Sequence, residues 1–364
     1  MNTIDATSSG RQPGLVFSPG PPGAWDEARV SGPRVLREPN GRWRMWYYGR
    51  DRAFAPDIPL PSGRIGLAES DDGVHWTRVP GPMTGGAVLD PHPDPGRFDS
   101  AHVGVSDMHR EAGGRLRMWY FGGDHEQVRL GRFEVRGIKL RPGCATSEDG
   151  LHWRRIEGPF RGAMLDFGPP GTFDMAGCGF PQVVTGPDGV QRMYYHSLDP
   201  SRMVFVAGVA ESTDGLQWQR RGEVLGPGEP GAFDVLGVGT RHVMRHPFDG
   251  RERWLMFYEG VNEVDHSIGL AVSDDGLAWT RVPGAEPDGS VLARAPAGSG
   301  RWDARAVGMP WVIRLPHGGL YLYYVGCNET PGGITDELGM TQQIGLAVSD
   351  GDPTRWERFL PEER

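Results

Sequence analysis

Apolar and polar positions along this chain alternate in short runs, and the runs return in a fixed order. One run opens apolar–Gly–small, passes through an acidic turn and ends on tryptophan. It reads IGLAESDDGVHW to Trp76, GCATSEDGLHW to Trp153, GVAESTDGLQW to Trp218, IGLAVSDDGLAW to Trp279 and, with a small insertion, IGLAVSDGDPTRW to Trp356. Upstream of each copy lies an aromatic run: RMWYYG, RMWYFG, RMYYHS, LMFYEG and LYLYYVG. Further upstream stands an aromatic–Asp pair, at Trp25-Asp26, Phe98-Asp99, Phe173-Asp174, Phe233-Asp234 and Trp302-Asp303, with 73, 75, 60 and 69 residues between successive aspartates. Three signals in five ordered copies define a repeat, and repeats of this length imply one radially organised body rather than several domains.

Each module parses as four strands. Strand A follows the aspartate (VSGPRVL, VGVSDMH, CGFPQVV, VGTRHVM, VGMPWVI), and a Gly-rich hairpin leads into the aromatic strand B. Strand C is the IGLA run, and the SDDG turn leads into strand D. Asp-Gly and Asn-Gly turns suit twisted antiparallel pairs, and no long 3.6-residue period interrupts them. The predicted fold is all-β, a five-bladed β-propeller of four-stranded antiparallel blades over residues 15–364, after a disordered 1–14. LVF at 15–17 is expected to supply a closing strand, because closure removes free sheet edges. The turn acids Asp72, Asp149, Asp214 and Asp275 read as local caps, and the repeated tryptophan as packing between blades.

Composition adds exclusions. Gly (56) and Pro (32) are abundant, but 12 Trp, 9 Tyr and 14 Phe within regular apolar runs point to a turn-rich β protein rather than disorder. The net charge of −9 is interspersed, with no basic patch, so nucleic acid is not an expected partner. Cys144, Cys178 and Cys327 form no C-x-x-C pair, which argues against a disulfide framework or a thiolate zinc site. No secretion signal or membrane-length apolar run is visible, so a cytoplasmic protein with no membrane partner is expected. No spacing demands a cofactor or a metal, and none is expected.

In an A–B–C–D meander the D–A and B–C connections share one face. These are the long, variable connections, so function is expected there. That face starts strand A with Asp26, Asp99, Asp174, Asp234 and Asp303, and ends strand B with Asp51, Asp124, Asp199, Asn262 and Asn328; His125, Glu263 and Glu329 stand beside members of the second set. Other residues break the repeat. His196 and Glu259 replace Tyr48, Phe121 and Val325 in strand B, Arg29 and His102 share a post-Asp position, and Asp107 and His242 replace Arg34, Gln182 and Trp311 in strand A. Polar side chains at positions that are otherwise apolar are costly unless paired and mark candidate sites. Two roles stay open for each: fixing the backbone or bridging blades, and chemistry in a shared funnel.

The module of Trp/Phe-Asp, a Pro-containing strand, WRMWYYG and IGLAESDDGVHW resembles the repeats of the five-bladed glycoside hydrolases, the arabinanase, levansucrase and invertase-like superfamily of families 32, 43, 68 and 130. The resemblance covers the chain from about Trp25. It implies a carbohydrate substrate in a central funnel, an Asp base or nucleophile in the first blade, an orienting Asp in the second and a Glu acid in the third. Asp26 and Asp99 match the first two positions. GCGFPQV lacks the third-blade glutamate, leaving Asp174 or Glu259 as the acid, with His196 a further acid–base candidate. Arg29, Asp51, His102, Asp124, His125, Asp234, His242 and Asp303 are the expected substrate-binding set. The missing glutamate keeps two alternatives beside a glycoside hydrolase: a non-hydrolytic isomerase or cyclase of small-molecule biosynthesis, and a non-catalytic sugar-binding propeller. A phosphorylase variant would draw on Arg29, Arg50 and Arg52.

Overall fold

In the computed structural model, residues 12–52, 63–130, 133–137, 139–328 and 341–360 are described. The expected disorder of residues 1–11 lies outside them, as do Glu329 and most of the first and fifth B–C connections. Gln12, Pro13 and Gly14, in contrast, are bonded: Trp302 donates its backbone N–H to Gln12 and its indole N–H to Pro13 O, and Gly14 donates to Phe359 O.

Each module folds as an antiparallel A–B–C–D meander. The strands are Arg29–Arg37, Trp43–Arg50, Gly63–Ser70 and Thr77–Val79 in the first module, and His102–Arg110, Leu116–Gly123, Leu140–Ser147 and Arg154–Ile156 in the second. The third has Gly179–Thr185, Gln191–Asp199, Val204–Ser212 and Gln219–Leu225; the fourth has Gly237–Phe248, Arg251–Val261, His266–Ser273 and Thr280–Val282. One parallel bridge, Phe205 to Gly237, joins these two into a continuous sheet. The fifth has Ala306–Arg314, Leu320–Cys327, Gln342–Ser349 and Glu357–Arg358, and Leu15–Phe17 adds to its strand C.

The A strands touch in cyclic order, each module with the next and the fifth with the first. Two sets of contacts follow the same cycle. The turn tryptophan of each module meets edge-on a strand-B aromatic ring of the module before it: Trp153 on Trp46, Trp218 on Trp119, Trp279 on Tyr194, Trp356 on Phe257 and Trp76 on Tyr323. The expected packing role of this residue is what the structure gives it.

The second set links neighbouring A strands through one repeat position. Arg34 donates to Ser106 O, Val183 N–H donates to Asp107 (3.0 Å), and Gln182 exchanges two bonds with the Val243 backbone. Val312 N–H donates to His242 Nδ1 (3.0 Å), and Trp311 donates to Val35 O (2.8 Å). Five different side chains thus solve the same problem, satisfying buried backbone groups where modules meet. Asp107 and His242, which sequence reasoning marked as breaks in the repeat, belong to this belt.

The glycines of the repeat mark close approaches. A Cβ on Gly122, at the end of strand B, would lie 2.4 Å from Asp99 Cβ, and one on Gly143 of strand C would lie 2.3 Å from the Tyr120 ring. The acidic turns behave as read from sequence. Asp72 accepts from the N–H groups of Val74 and His75 while Ser70 Oγ accepts from Gly73, and Asp149, Asp214 and Asp275 repeat the arrangement.

Candidate functional site

The five strand-A aspartates do not open onto a cavity. Each is at most 1% exposed, and each accepts one hydrogen bond from a strand-B tyrosine and one from a strand-D arginine. The sets are Asp26–Tyr47–Arg78, Asp99–Tyr120–Arg155, Asp174–Tyr195–Arg220, Asp234–Tyr258–Arg281 and Asp303–Tyr324–Arg358. Tyr–Asp distances are 2.8–3.2 Å and Arg–Asp distances 2.6–2.8 Å. Each arginine also donates to a carbonyl of the D–A connection, at Ser18, Asp90, Asp166, Gly226 or Ala293. Burial, and next the neighbouring carboxylate, push the hydroxyls of Tyr47, Tyr195 and Tyr258 far above their usual range, so they act as donors. The clamp pins the outer strand and the incoming loop to the start of strand A.

The residues that end strand B are also engaged locally. Asp124, 1% exposed, accepts from Arg141 (3.1 Å), Arg161 (2.8 Å) and the Glu126 N–H. Asp51 pairs with Arg64 at 3.5 Å, Asp199 caps Ser201 and Arg202, and His125 is exposed. His196 lies between Phe180 (5.1 Å between ring centroids) and Phe205 (6.1 Å); burial, and then the Arg241 charge, lower it to about 3 and keep it neutral. His102 donates Nε2–H to Gly137 O, docking the second module's B–C connection, and burial lowers it to about 4.

Two cavities adjoin on the D–A/B–C face, sharing Met309 and Gln342. The first, of about 200 Å³, lies between modules four and five and is lined by Glu259, Glu263, His266, Arg305 and Gly308 among others. The second, of about 170 Å³, is lined by Arg29, Tyr48, Arg50, His102, Phe121 and Phe180 among others. Strand A bulges beside them in several modules: Gly32, Phe180 and Met309 adopt left-handed backbone (φ 58, 53 and 49°) within a register shift. Bulges of this kind re-aim side chains near sites, and positive φ at a non-glycine residue is strained. Here Phe180 and Met309 turn to the cavity walls.

Glu259 is held by three hydrogen bonds at the wall of the first cavity. One carboxylate oxygen accepts from His266 Nδ1 at 2.7 Å, and the other accepts from Thr240 Oγ1 and from Met309 N–H (3.3 Å). Burial alone would raise its pKa, but the bond and charge of His266, with Thr240, outweigh it and bring Glu259 to about 2. The same bond raises His266 above its ordinary 6.5 against the opposing effect of burial. The carboxylate thus favours the protonated form of the ring, which stands at the cavity wall.

Of the sequence-predicted residues, the structure therefore brings Glu259, Arg29 and His102 to the cavities, with Asn262 and Glu263 from the end of the fourth strand B. Asp26, Asp99, Asp174, Asp234 and Asp303 go to clamps, and His242 goes to the belt. Arg50, named for a phosphorylase variant, also lines the second cavity, whereas His266, Tyr48, Arg305 and Gln342 line the cavities without having been selected as site residues. A signal for His266 existed: the residue opening strand C is Gly63, Leu140, Val204 and Gln342 in the other modules, opposite the end of strand B. Among the described residues no three His, Cys, Asp or Glu side chains group as metal ligands, and no helix is long and apolar enough to cross a membrane.

Gly308 tests the geometry directly. A Cβ there would lie 2.5 Å from the Glu259 carboxyl carbon. Gly308→Ala is expected to push Glu259 off His266, and NMR titration should show the His266 pKa falling towards 6.5 while the far-ultraviolet dichroism is retained. An unchanged titration would mean that the carboxylate is free to move aside.

Comparison with solved structures places this arrangement in a known fold. A family 130 protein, from a family described as mannoside phosphorylases containing hydrolases of β-1,2 mannosidic linkages in Candida mannan, superposes with TM-score 0.65 at 16% identity, over 99% of each chain. A thermostable family-43 glycoside hydrolase gives 0.63 at 16%, covering 92% of this chain and 95% of that one. The chain shares its fold with these solved glycoside hydrolases. An N-acetylgalactosamine deacetylase from F. plautii matches equally well, at 0.64 and 18% identity over 93% and 94% of the two chains. At these identities the likeness is one of fold, and the fold hosts more than one reaction. No known family profile matches the chain. Two curated sequences, uncharacterized proteins of Mycobacterium tuberculosis strains CDC 1551 / Oshkosh and H37Rv, are each 33% identical over 131 residues. The match spans 36% of this chain and 36% of theirs.

Proposed function

We propose that residues 15–364 form one five-bladed propeller of four-stranded blades, and that the protein is a carbohydrate-active enzyme working in the funnel where the two cavities adjoin. The observation that carries the reading is the Glu259–His266 pair at the wall of the 200 Å³ cavity. His266 is assigned as the group that gives or takes a proton. Glu259 is a positioning residue, because its oxygens already accept from His266, Thr240 and Met309 N–H, which fixes the imidazole and favours its protonated form. Asp26, Asp99 and Asp174 are assigned to structure, since the same clamp recurs in all five modules, including the two whose aspartates the family resemblance does not make catalytic.

In this reading a protonated His266 donates to the leaving oxygen of a bound glycoside, or to a substrate oxygen on which charge develops. A non-hydrolytic reaction is the second reading. One specific observation favours it: Glu259 is bonded to His266 at 2.7 Å, a histidine–carboxylate couple of the kind that moves a proton within a substrate, rather than facing a second carboxylate across a scissile bond. Product formed in H₂¹⁸O separates the two, since hydrolysis incorporates label and isomerisation does not.

The defining experiment is turnover of a panel of aryl glycosides and free sugars by His266→Gln and Glu259→Gln proteins. A loss of about 10²–10⁴-fold in kcat is expected for His266→Gln, with a smaller loss and an altered pH profile for Glu259→Gln. Full activity of His266→Gln on a substrate that the unaltered protein turns over would remove His266 from the reaction.

A further inference from the structure

Inside the ring of A strands, beneath the two cavities, stands a cation with no acid beside it. Arg241 lies one residue before the belt position of the fourth module, where the other modules carry Pro33, Ser106, Pro181 and Pro310. It is 2% exposed. Its Nη2 donates to the Phe180 carbonyl of the third module, whereas Nε and Nη1 are buried with no hydrogen-bond partner. Its charge also meets that of Arg34 in the first module, which with burial lowers Arg241 to about 9. Modules one and four are not neighbours in the cycle, so a side chain that reaches both Phe180 and Arg34 points into the middle of the ring. Arg34 donates Nε–H to Ser106 O, and the Ser106 hydroxyl is likewise buried without a partner.

The charges in this core can be counted. Asp107 offsets Arg34, and its two oxygens accept from Met108 and Val183 N–H. Burial, and then the arginine charges, hold His196 and His242 at about 3, so both are neutral. Glu259, whose charge reaches His196, is tied to His266. Arg241 is left over. A buried charge is costly unless an opposite charge joins it, and guanidinium nitrogens can only donate, so they need an acceptor.

We propose that the core of the ring holds one small monovalent anion of the chloride type, seated against Arg241 on the side of Arg34, where the Ser106 hydroxyl can turn to it. One excess positive charge calls for one negative charge. Neither cavity is lined by Arg34, Ser106 or Arg241, so the ligand is a free ion rather than a group carried by a substrate. A halide also suits a weakly hydrated guanidinium. Phe180, whose carbonyl Arg241 holds, is a wall of the second cavity, so the ion would brace that wall from below without entering the cavity. The site stands whatever reaction the cavities carry out.

Urea unfolding in sodium chloride and in sodium methanesulfonate tests it, on protein first dialysed against the second salt. At matched ionic strength screening is equal, and only specific binding differs. The midpoint should be higher in chloride and should level off with concentration as the site fills. Arg241→Met removes the excess charge and should unfold at the same midpoint in both salts. Crystals of the unaltered protein grown in sodium bromide should show an anomalous peak beside Arg241. Equal midpoints for the unaltered protein overturn the proposal. So does a chloride increment that survives in Arg241→Met, which would be a general salt effect. Bromide crystals with water alone at Arg241 overturn it as well, and they decide the matter if Arg241→Met fails to fold.

Discussion

Replacing Asp99 with alanine is expected to remove roughly 3–5 kcal/mol of folding stability, because it strands a largely buried guanidinium without its counter-charge. Asp99 is fully buried, and the Arg155 side chain bonded to it at 2.7 Å is 18% exposed. Tyr120→Phe removes a single hydroxyl bond from the same carboxylate and should cost about 1 kcal/mol. The double substitution Asp99→Ala with Arg155→Met should recover part of the loss, since no unpaired charge then remains. Urea unfolding of the three proteins measures the series. Equivalent changes at Asp26 and Asp174 should behave alike, because their clamps are alike. An Asp26→Asn protein that unfolds like the unaltered one yet has lost turnover would return Asp26 to the catalytic role that the family resemblance implied.

The second large effect is acid lability beginning below neutrality. Burial first, and nearby arginines second, hold His102 at about 4, His196 at about 3 and His242 at about 3, against an ordinary 6.5. The unfolded chain takes up these protons as pH falls through 6.5, whereas the folded chain refuses them until pH 3–4. Stability is therefore lost progressively across that interval and is fully present above it. At pH 5 each histidine costs about 2 kcal/mol, so the three together remove on the order of 6 kcal/mol from a typical total of 5–15. His266 acts in the opposite sense: its raised pKa adds stability that is complete below 6.5 and disappears as pH rises through the folded value. Glu259, lowered to about 2, loses its contribution only below about 4.5. Three groups thus outweigh one between pH 6.5 and 4.5. The urea midpoint should fall steeply from pH 7.5 to 5, and a flat profile would show that the three imidazoles are hydrated or already charged.

The repeat and its strand order could be read from the sequence because periodic glycines, aromatics and turn acids each answer a local steric or hydrogen-bonding need. The clamp was half visible. The aspartates stood out, but their meaning depended on Arg78, Arg155, Arg220, Arg281 and Arg358, each two residues after the turn tryptophan. A base repeated in step with an acid signals a structural pair, and that correlation argues against five acids converging on substrate. His242 and Asp107 misled for a related reason. A position that bonds the next module's backbone tolerates Arg, Asp, Gln, His or Trp, so its variety resembles functional divergence while its task stays constant. Glu259 was legible as a charge in an aromatic strand. Its partner His266 and the seating of Arg29 and Arg50 in the second cavity wall depend on which loops meet around the cycle and on where bulged residues such as Phe180 and Met309 aim their side chains, and no local period encodes that.

The outer edge of the fifth module is assembled from two distant pieces: Leu15–Phe17 pairs with Gly345 and Ile344, and Glu357–Arg358 pairs with the adjoining Val348 and Ala347. During synthesis the early piece emerges about 330 residues before its partner, a wait of roughly 15–65 s at ordinary ribosomal speed. Until then Leu15–Phe17 has no partner strand. The fifth sheet acts as the latch, and the period before it shuts is when a chaperone would have most to protect.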